Sequence, residues 1–162
     1  MLLEGLYEAL VMDCPSDRFS SSGQPSLEYA LDDYDLDFFP EFKVLHLPFL
    51  RKYTEWYAGS SRIAYMDRDR SLVYKVPITN RGYRSNVSDA HLYQVQQSAE
   101  GEELNNPIAK CRLLHEVILE MELVRPLKWM EIERRDIDRI FAHSDGYQVG
   151  ETQEGKIVFF DL

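Results

Sequence analysis

The chain of 162 residues is 44% hydrophobic and carries a formal net charge of −10 at pH 7. This apolar content supports a folded domain and excludes disorder throughout the chain, and no apolar stretch reaches the roughly 18 residues of a membrane helix. The negative charge disfavours direct binding to nucleic acid or anionic lipid, and the two cysteines lack a metal-binding spacing, so we expect a soluble protein of a reducing cytoplasm.

The negative charge is concentrated in the first 50 residues, which carry −8 of the total −10. Apolar residues at helical spacing predict a short helix over residues 2–12, and the turn-forming residues after it predict a flexible loop at 15–25. Ser26 is a suitable N-cap for a second helix, which Pro40 would end. The apolar face of this second helix comprises Leu27, Leu31, Tyr34 and Phe38. Its acidic residues are Glu28, Asp32, Asp33, Asp35 and Asp37.

These carboxylates favour a protein partner with a basic surface, and residues 1–52 are therefore predicted to form a helical acidic extension. A merely solvated helix face is the alternative interpretation. The stretch FKVLHLPFL at 42–50 alternates poorly and contains Pro48, so we expect an edge strand or a connector there. The remaining residues, 53–162, are predicted to form the folded body.

The first half of this body is expected to be a β-hairpin followed by a helix. Two β-rich runs within KYTEWYAGSSRIAYMDRDRSLVYKV are joined by the charged turn DRDR at residues 67–70. The stretch NVSDAHLYQVQQSAE then predicts a helix. Its expected apolar stripe consists of Val87, Ala90, His91, Tyr93 and Val95.

The second half is expected to contain another hairpin, a polar helix and a final strand. IAKCRLL and VILEMELV predict two strands joined by a tight turn at His115 and Glu116. EIERRDIDRIF predicts a helix with Ile132, Ile137 and Ile140 on one side. The turn-rich SDGYQVGETQEG leads to GKIVFFDL, a buried strand that ends at Asp161.

This order of elements resembles the N-terminal lobe of the protein kinase fold, in the form found in short kinase-like proteins of bacteriophages and prophages. The family uses a glycine-rich hairpin because backbone amides approach the ATP phosphates there, and here AGSSRIAY holds that place. The resemblance implies an α+β fold in which a twisted antiparallel sheet packs against a helix. It also implies that Gly59, Ser60 and Ser61 are candidate nucleotide-binding residues.

The remaining site candidates also follow from the resemblance. The lysine that pairs with the phosphates corresponds to Lys75 in LVYKV, and its helical carboxylate partner corresponds to Asp89. The two metal-holding positions correspond to Gln148 and Asp161. Mg-ATP is thus the cofactor that these residues would hold if the site were retained.

Departures from the family pattern argue against a kinase. The candidate base, Asp145, lies only three residues before Gln148, and the chain has no helical lobe to hold a substrate. We therefore expect a non-catalytic interaction protein, a phage-type inhibitor or modulator that binds a protein in the host cytoplasm. Two alternatives stay open: a Mg-ATP-binding regulator or phosphotransferase, and an acidic mimic of nucleic acid. The sequence does not indicate an oligomeric state.

Overall fold

The computed structural model describes residues 40–98, 107–135 and 148–161. Three helices lie in these ranges, namely α1 (Pro40–Lys52), α2 (Asn80–Ser98) and α3 (Trp129–Arg134). The strands are β1 (Trp56–Ala58), β2 (Arg62–Asp67), β3 (Leu72–Pro77), β4 (Cys111–Leu114), β5 (Ile118–Glu122), β6 (Arg125–Pro126), β7 (Gln148–Glu151) and β8 (Ile157–Asp161). Their pairing is antiparallel, so the α+β class with antiparallel sheets is confirmed.

The first sheet contains five strands in the order β1-β2-β3-β5-β4. The predicted hairpin of β2 and β3 is confirmed, with Asp67 opposite Leu72. Its turn lies one residue later than DRDR, because Asp67 belongs to β2 and the Asp67 carboxylate accepts a hydrogen bond from the Arg70 amide at 3.1 Å. An aspartate that bonds to the backbone three residues later favours a turn directly after a strand.

The predicted hairpin of β4 and β5 is also confirmed. Leu114 pairs with Ile118, and the Val117 amide donates to the Leu114 carbonyl at 3.1 Å. The central residues of this turn, His115 and Glu116, have φ angles of 50° and 64°. Glycine and asparagine are usual at such positions, so the two apolar flanking runs determine this turn more than its own residues do.

The prediction of an edge strand or connector at 42–50 is wrong, because these residues belong to helix α1. Pro40 begins this helix, at a position where a backbone amide would have no acceptor within the helix. Pro48 lies inside the helix. Leu45 and Phe49 lie one turn apart and are both buried against the sheet. Their burial outweighs the backbone bond that Pro48 removes. Residues 1–39, with the other predicted parts of the extension, lie outside the described residues.

An aromatic core lies between α1 and one face of the five-stranded sheet. The Phe49 ring centroid is 5.3 Å from that of Tyr65 on β2 and 5.4 Å from that of Tyr74 on β3. The buried members of this core are Leu45, Phe49, Tyr53, Ile63, Tyr65, Tyr74, Val76, Ile78 and Ile118. Helix α1, predicted as part of the extension, therefore shares a core with the strands of the predicted body.

Helix α2 confirms the predicted helix but begins six residues earlier, at Asn80. The Thr79 hydroxyl accepts a hydrogen bond from the Gly82 amide at 3.2 Å, which is the geometry of an N-cap. The predicted apolar stripe is wrong apart from Ala90 and the half-buried Tyr93, since Val87, His91 and Val95 are exposed. The buried residues of this helix are Gly82, Asn86, Asp89 and Ala90.

The second sheet contains three strands in the order β6-β7-β8. Strand β8 was predicted, whereas β7 falls in a stretch that was expected to be turns, so that expectation is wrong for 148–151. Its only strongly apolar residue, Val149, is buried with Ile132 and Phe159. A strand of four residues with one strongly apolar side chain carries too little alternation to be predicted, although β7 is the central strand of this sheet. Helix α3 confirms part of the predicted polar helix, while Ile137 and Ile140 lie outside the described residues.

Main-chain bonds join the two sheets. The Ala109 amide donates to the Phe159 carbonyl at 2.8 Å, and the Phe159 amide donates to the Pro107 carbonyl at 2.9 Å. A second core of α2, β4, β5 and β8 residues packs beside this junction: Ala90, Ala109, Cys111, Leu119, Met121, Val124 and Val158. None of the helices within the described ranges has both the length and the apolar character required to cross a bilayer.

Candidate functional site

A cleft of about 840 Å³ lies between the two sheets. Side chains alternate along β3, so that Tyr74 and Val76 face the aromatic core while Val73 and Lys75 line the cleft. The turn between β1 and β2 covers one end of it, and the predicted candidates Gly59, Ser60 and Ser61 all belong to its lining. The structure thus brings these three residues and Lys75 to one site.

Lys75 lies at the inner end of this cleft and is only 7% exposed. Its Nζ donates a hydrogen bond to the main-chain carbonyl of Phe160, and the Phe160 ring centroid is 6.0 Å from the same atom. Because Phe160 precedes Asp161, the end of β8 lies next to Lys75, as the resemblance implied. Gln148 pairs with Asp161 across β7 and β8, so the backbones of the two predicted metal positions are neighbours.

The carboxylate of Asp89 is held by an arginine that the sequence analysis did not select. Arg62 Nη1 donates to Asp89 Oδ2 at 2.8 Å, and the two side chains are 11% and 1% exposed. The sequence predicted Lys75 as the partner of Asp89, and this ion pair with Arg62 is a contact of the Asp89 carboxylate that the prediction did not include. Arg62 is the last residue of GSSR. Its position next to this turn was the feature of the sequence that could have identified it as a site residue.

Asn86 connects these charged groups to the backbone and was also missed. Its Nδ2 donates to the carbonyls of Lys75 and Val117, both at 2.8 Å, while its Oδ1 accepts from Arg62 Nη1 at 3.2 Å. The side chain is fully buried. Because the buried amide of Asn86 uses both its donor and its acceptor groups, it fixes α2 against β3. Loss of any one of these bonds would leave a buried polar group without a hydrogen-bond partner.

The GSSR turn packs directly on the first turn of α2. The Ser61 carbonyl accepts from the Ile78 amide at 2.9 Å. A Cβ atom at Gly82 would lie 2.0 Å from that same oxygen, so no other residue type fits there without a shift of the backbone. Close backbone approach in this protein therefore depends on Gly82 on the helix, in addition to the predicted Gly59 in the turn.

Ion pairs form the outer rim of the cleft. Glu55 accepts from Arg68 at 2.7 Å on one side. On the other side, Arg125 donates to Glu151 at 2.7 Å and to Glu131 at 2.9 Å, which ties β6 to β7 and α3. The guanidinium groups of Arg135 and Arg125 hold the pKa of Glu151 below its usual value. These exposed pairs position the second sheet but contribute little stability each.

Several predicted site residues lie outside the described part of the chain. These are the candidate base Asp145 and the acidic set of Glu28, Asp32, Asp33, Asp35 and Asp37. Among the residues that are described, no three histidine, cysteine or acidic side chains form a group that could hold a metal ion. We derive no reaction step through a Mg-triphosphate group.

Comparison of the chain with protein-family models, curated proteins and solved structures gives no match. The site must accordingly be interpreted from its own geometry. Its apolar walls can surround a ligand, whereas its inner charged groups are engaged in hydrogen bonds that join the turn, the helix and the two sheets.

Proposed function

We propose that this chain is a non-catalytic, kinase-like binding protein whose acidic N-terminal segment docks on a basic surface of a host protein and modulates it. One observation carries the non-catalytic part. Lys75 and Asp89, which the resemblance assigns to a nucleotide clamp, are bonded to the Phe160 carbonyl and to Arg62. These contacts give the two residues a structural use that requires no nucleotide.

The kinase-like part of the proposal is supported by the order of the elements. A hairpin with a glycine in its turn is followed by β3 with Lys75, the helix α2, the hairpin of β4 and β5, and β8 ending at Asp161. This is the succession on which the resemblance was based. A fold alone does not establish an activity, so the function depends on the site contacts.

The binding part of the proposal is supported by charge. Residues 26–41 contain six acidic residues and no basic one. A surface of one sign attracts a partner of the opposite sign and raises the association rate in a salt-dependent way. A phage-type inhibitor or modulator of a host protein would use such a surface without needing chemistry of its own.

The purified protein is expected to show no phosphotransfer and no ATP hydrolysis, because Lys75 and Asp89 are engaged by the Phe160 carbonyl and by Arg62, and Asp145 lies too close in sequence to Gln148 to serve as the base. Radiolabelled ATP with general protein acceptors measures both reactions. Lys110→Ala changes an exposed lysine and is the matched control for Lys75→Ala. Turnover that persists in the control but disappears in both Lys75→Ala and Asp161→Ala would refute the non-catalytic proposal.

Changing Asp32, Asp33, Asp35 and Asp37 to Asn should weaken salt-sensitive partner binding about tenfold or more, while the melting temperature changes little. An ion pair at a protein surface contributes only about 0.2–1 kcal/mol to stability. Retention of host proteins on the immobilised chain at rising salt measures binding. The control removes three exposed carboxylates from the body, at Asp69, Glu116 and Glu154. Equal losses in both variants would show that net charge, and not this segment, determines binding.

The cleft itself favours a second candidate function, the binding of a nucleotide as a regulator. Its volume of about 840 Å³ lies within the range of small-molecule sites, and Ala64, Val73 and Met121 give it apolar walls. A ligand at 100 times its dissociation constant stabilises a protein by about 2.7 kcal/mol. A rise in melting temperature with Mg-ATP that Ala64→Leu abolishes would promote this candidate.

A further inference from the structure

The outer face of helix α2 is a surface with two distinct halves. Arg81, Ser85, Ser88, Leu92 and Val95 recur every three or four residues along it, so they share one face. The first half is basic and polar, and Arg81 and Arg84 line a shallow cavity of about 400 Å³ there. The second half is apolar, with Leu92 40% and Val95 52% exposed. We refer to this surface as the outer face of α2.

The arginines of this face differ from those around the cleft. Within residues 40–98, 107–135 and 148–161, no hydrogen bond or ion pair engages the side chain of Arg81 or Arg84, whereas Arg62, Arg68 and Arg112 each pair with a carboxylate. The chain has 28 acidic and 18 basic residues, so carboxylates are in excess. Two adjacent arginines that pair with none of the described ones form a surface suited to an acidic segment.

The acidic part of the chain enters the structure beside this face. The ring centroids of Phe42 and Tyr83 are 6.5 Å apart, and Tyr83 lies between Arg81 and Arg84 in sequence. Asp37 precedes Phe42 by five residues, which span at most about 18 Å when fully extended. The carboxylates nearest to Pro40 can therefore reach both arginines.

We propose that the outer face of α2 binds the acidic segment 27–38 of the same chain, with the segment running antiparallel to the helix. Asp35 and Asp37 then face Arg84 and Arg81. As a helix, the segment covers about 15 Å from Asp37 to Leu27, and α2 covers about 17 Å from Arg81 to Leu92. Leu27 is thereby brought to Leu92. Charge, apolar character and length all match in this one direction.

The acidic segment and the outer face of α2 can bind each other even with a weak intrinsic affinity. The short connection between them gives an effective concentration of about millimolar. The same carboxylates are those assigned to the host partner in the proposed function. The contact consequently acts as an autoinhibitory one, in which the partner competes with the outer face of α2. It does not depend on the fold being kinase-like.

Disulfide formation tests the contact in the full chain. The variant carries Leu27→Cys and Leu92→Cys with Cys14→Ser, and it keeps Cys111, which is buried and whose pKa is raised to about 12 by that burial. The control pairs Leu27→Cys with Arg112→Cys, because Arg112 points to the opposite side of β4 from Cys111, which faces α2. Under mild oxidation, the first pair is expected to form an intramolecular disulfide at least about tenfold faster than the control.

Charge reversal distinguishes a specific contact from chance proximity. Arg81→Glu with Arg84→Glu is expected to slow the crosslink about tenfold, and adding Asp35→Lys with Asp37→Lys is expected to restore it. Unchanged melting temperatures verify that the variants are folded. The proposal would be overturned by equal disulfide rates in the test and control pairs, or by a rate that charge reversal does not change. It would also be overturned by disulfide-linked dimers whose yield rises with concentration, because the face would then bind a second copy of the chain.

Discussion

Replacing Gly82 with Ala is expected to lower the free energy of unfolding by about 3 kcal/mol, near the upper end of the usual effect of overpacking a protein interior. The added Cβ would lie 2.0 Å from the Ser61 carbonyl oxygen and 2.8 Å from its carbon. Both atoms belong to the backbone, and the Ile78 amide holds the oxygen at 2.9 Å. Relief of the clash therefore requires that the GSSR turn move away from α2.

The sign of this effect makes it informative. In an exposed helix interior, alanine is more favourable than glycine by about 1 kcal/mol, so the propensity term alone would stabilise the variant. The steric term is larger because a rigid backbone, and not a flexible side chain, meets the new methyl group. The turn carries Arg62, so a displaced turn would also strain the ion pair with Asp89.

Urea unfolding and thermal melting measure the change. For a chain of 162 residues, about 3 kcal/mol corresponds to a fall in melting temperature of about 6–12 °C. Ser88→Ala is the matched control, since Ser88 is exposed on the same helix and its replacement adds no contact. A Gly82→Ala variant that is as stable as the wild type, or more stable, would show that the GSSR turn does not pack closely on α2 at this position.

Acidification should destabilise the protein through His46, a fully buried residue of α1. Its Nε2 lies 3.0 Å from the Pro77 carbonyl, which can only accept, so this nitrogen carries the proton. Its Nδ1, at 2.8 Å from the Tyr65 hydroxyl, accepts from that group. Desolvation lowers the pKa of His46 to about 4, an effect that the Pro77 hydrogen bond opposes only in part. The neutral imidazole is the form that this pocket holds.

The direction of the pH dependence follows from this lowered pKa. Between about 6.5 and about 4, the unfolded chain binds a proton on His46 that the folded protein does not bind, so stability falls as the pH falls. The total loss over this window is about 3 kcal/mol, from 1.36 kcal/mol for each pKa unit. Below about pH 4 both states are protonated at this residue, and His46 contributes no further slope.

Comparison with a variant that does not titrate isolates this contribution from that of the carboxylates. His46→Gln keeps a donor for the Pro77 carbonyl, and its free energy of unfolding should depend less on pH than that of the wild type between pH 6.5 and 4.5. Leu47→Gln changes an exposed residue of the same helix that does not titrate, and should keep the wild-type slope. Identical slopes in all three proteins would mean that His46 is not the neutral, buried group described.

Local patterns in the sequence were sufficient for the strands of both hairpins and for the final strand. Apolar runs such as LVYKV and VILEM have high β propensity, and the polar residues between them form turns, so each hairpin is encoded within about 15 residues. The helix from residue 86 onward was also predicted, although its start at Asn80 was not. These elements depend on neighbours in the chain, which explains why sequence periodicity identifies them.

The same patterns failed where a distant surface decides the conformation. Pro48 favoured an edge strand or a connector in 42–50. In the helix that forms instead, Leu45 and Phe49 pack in one core with Tyr65 and Tyr74, and that burial outweighs one lost backbone bond. On α2, the residues toward the interior are Asn86 and Asp89, since the surface facing them offers carbonyls and a guanidinium. The resemblance had selected Asp89, whereas no local pattern pointed to Asn86.

The sequence by itself determined the two hairpins and the position of Lys75 on the second strand of the first one, because these follow from short-range alternation and turn chemistry, while the α+β class was implied by the resemblance. Only the tertiary structure decided which groups meet. The pairing of Arg62 with Asp89, the bond from Lys75 to the Phe160 carbonyl and the need for glycine at 82 join residues 21 to 85 positions apart. Such contacts depend on how sheets and helices pack, and no local pattern of apolar and polar residues specifies that packing.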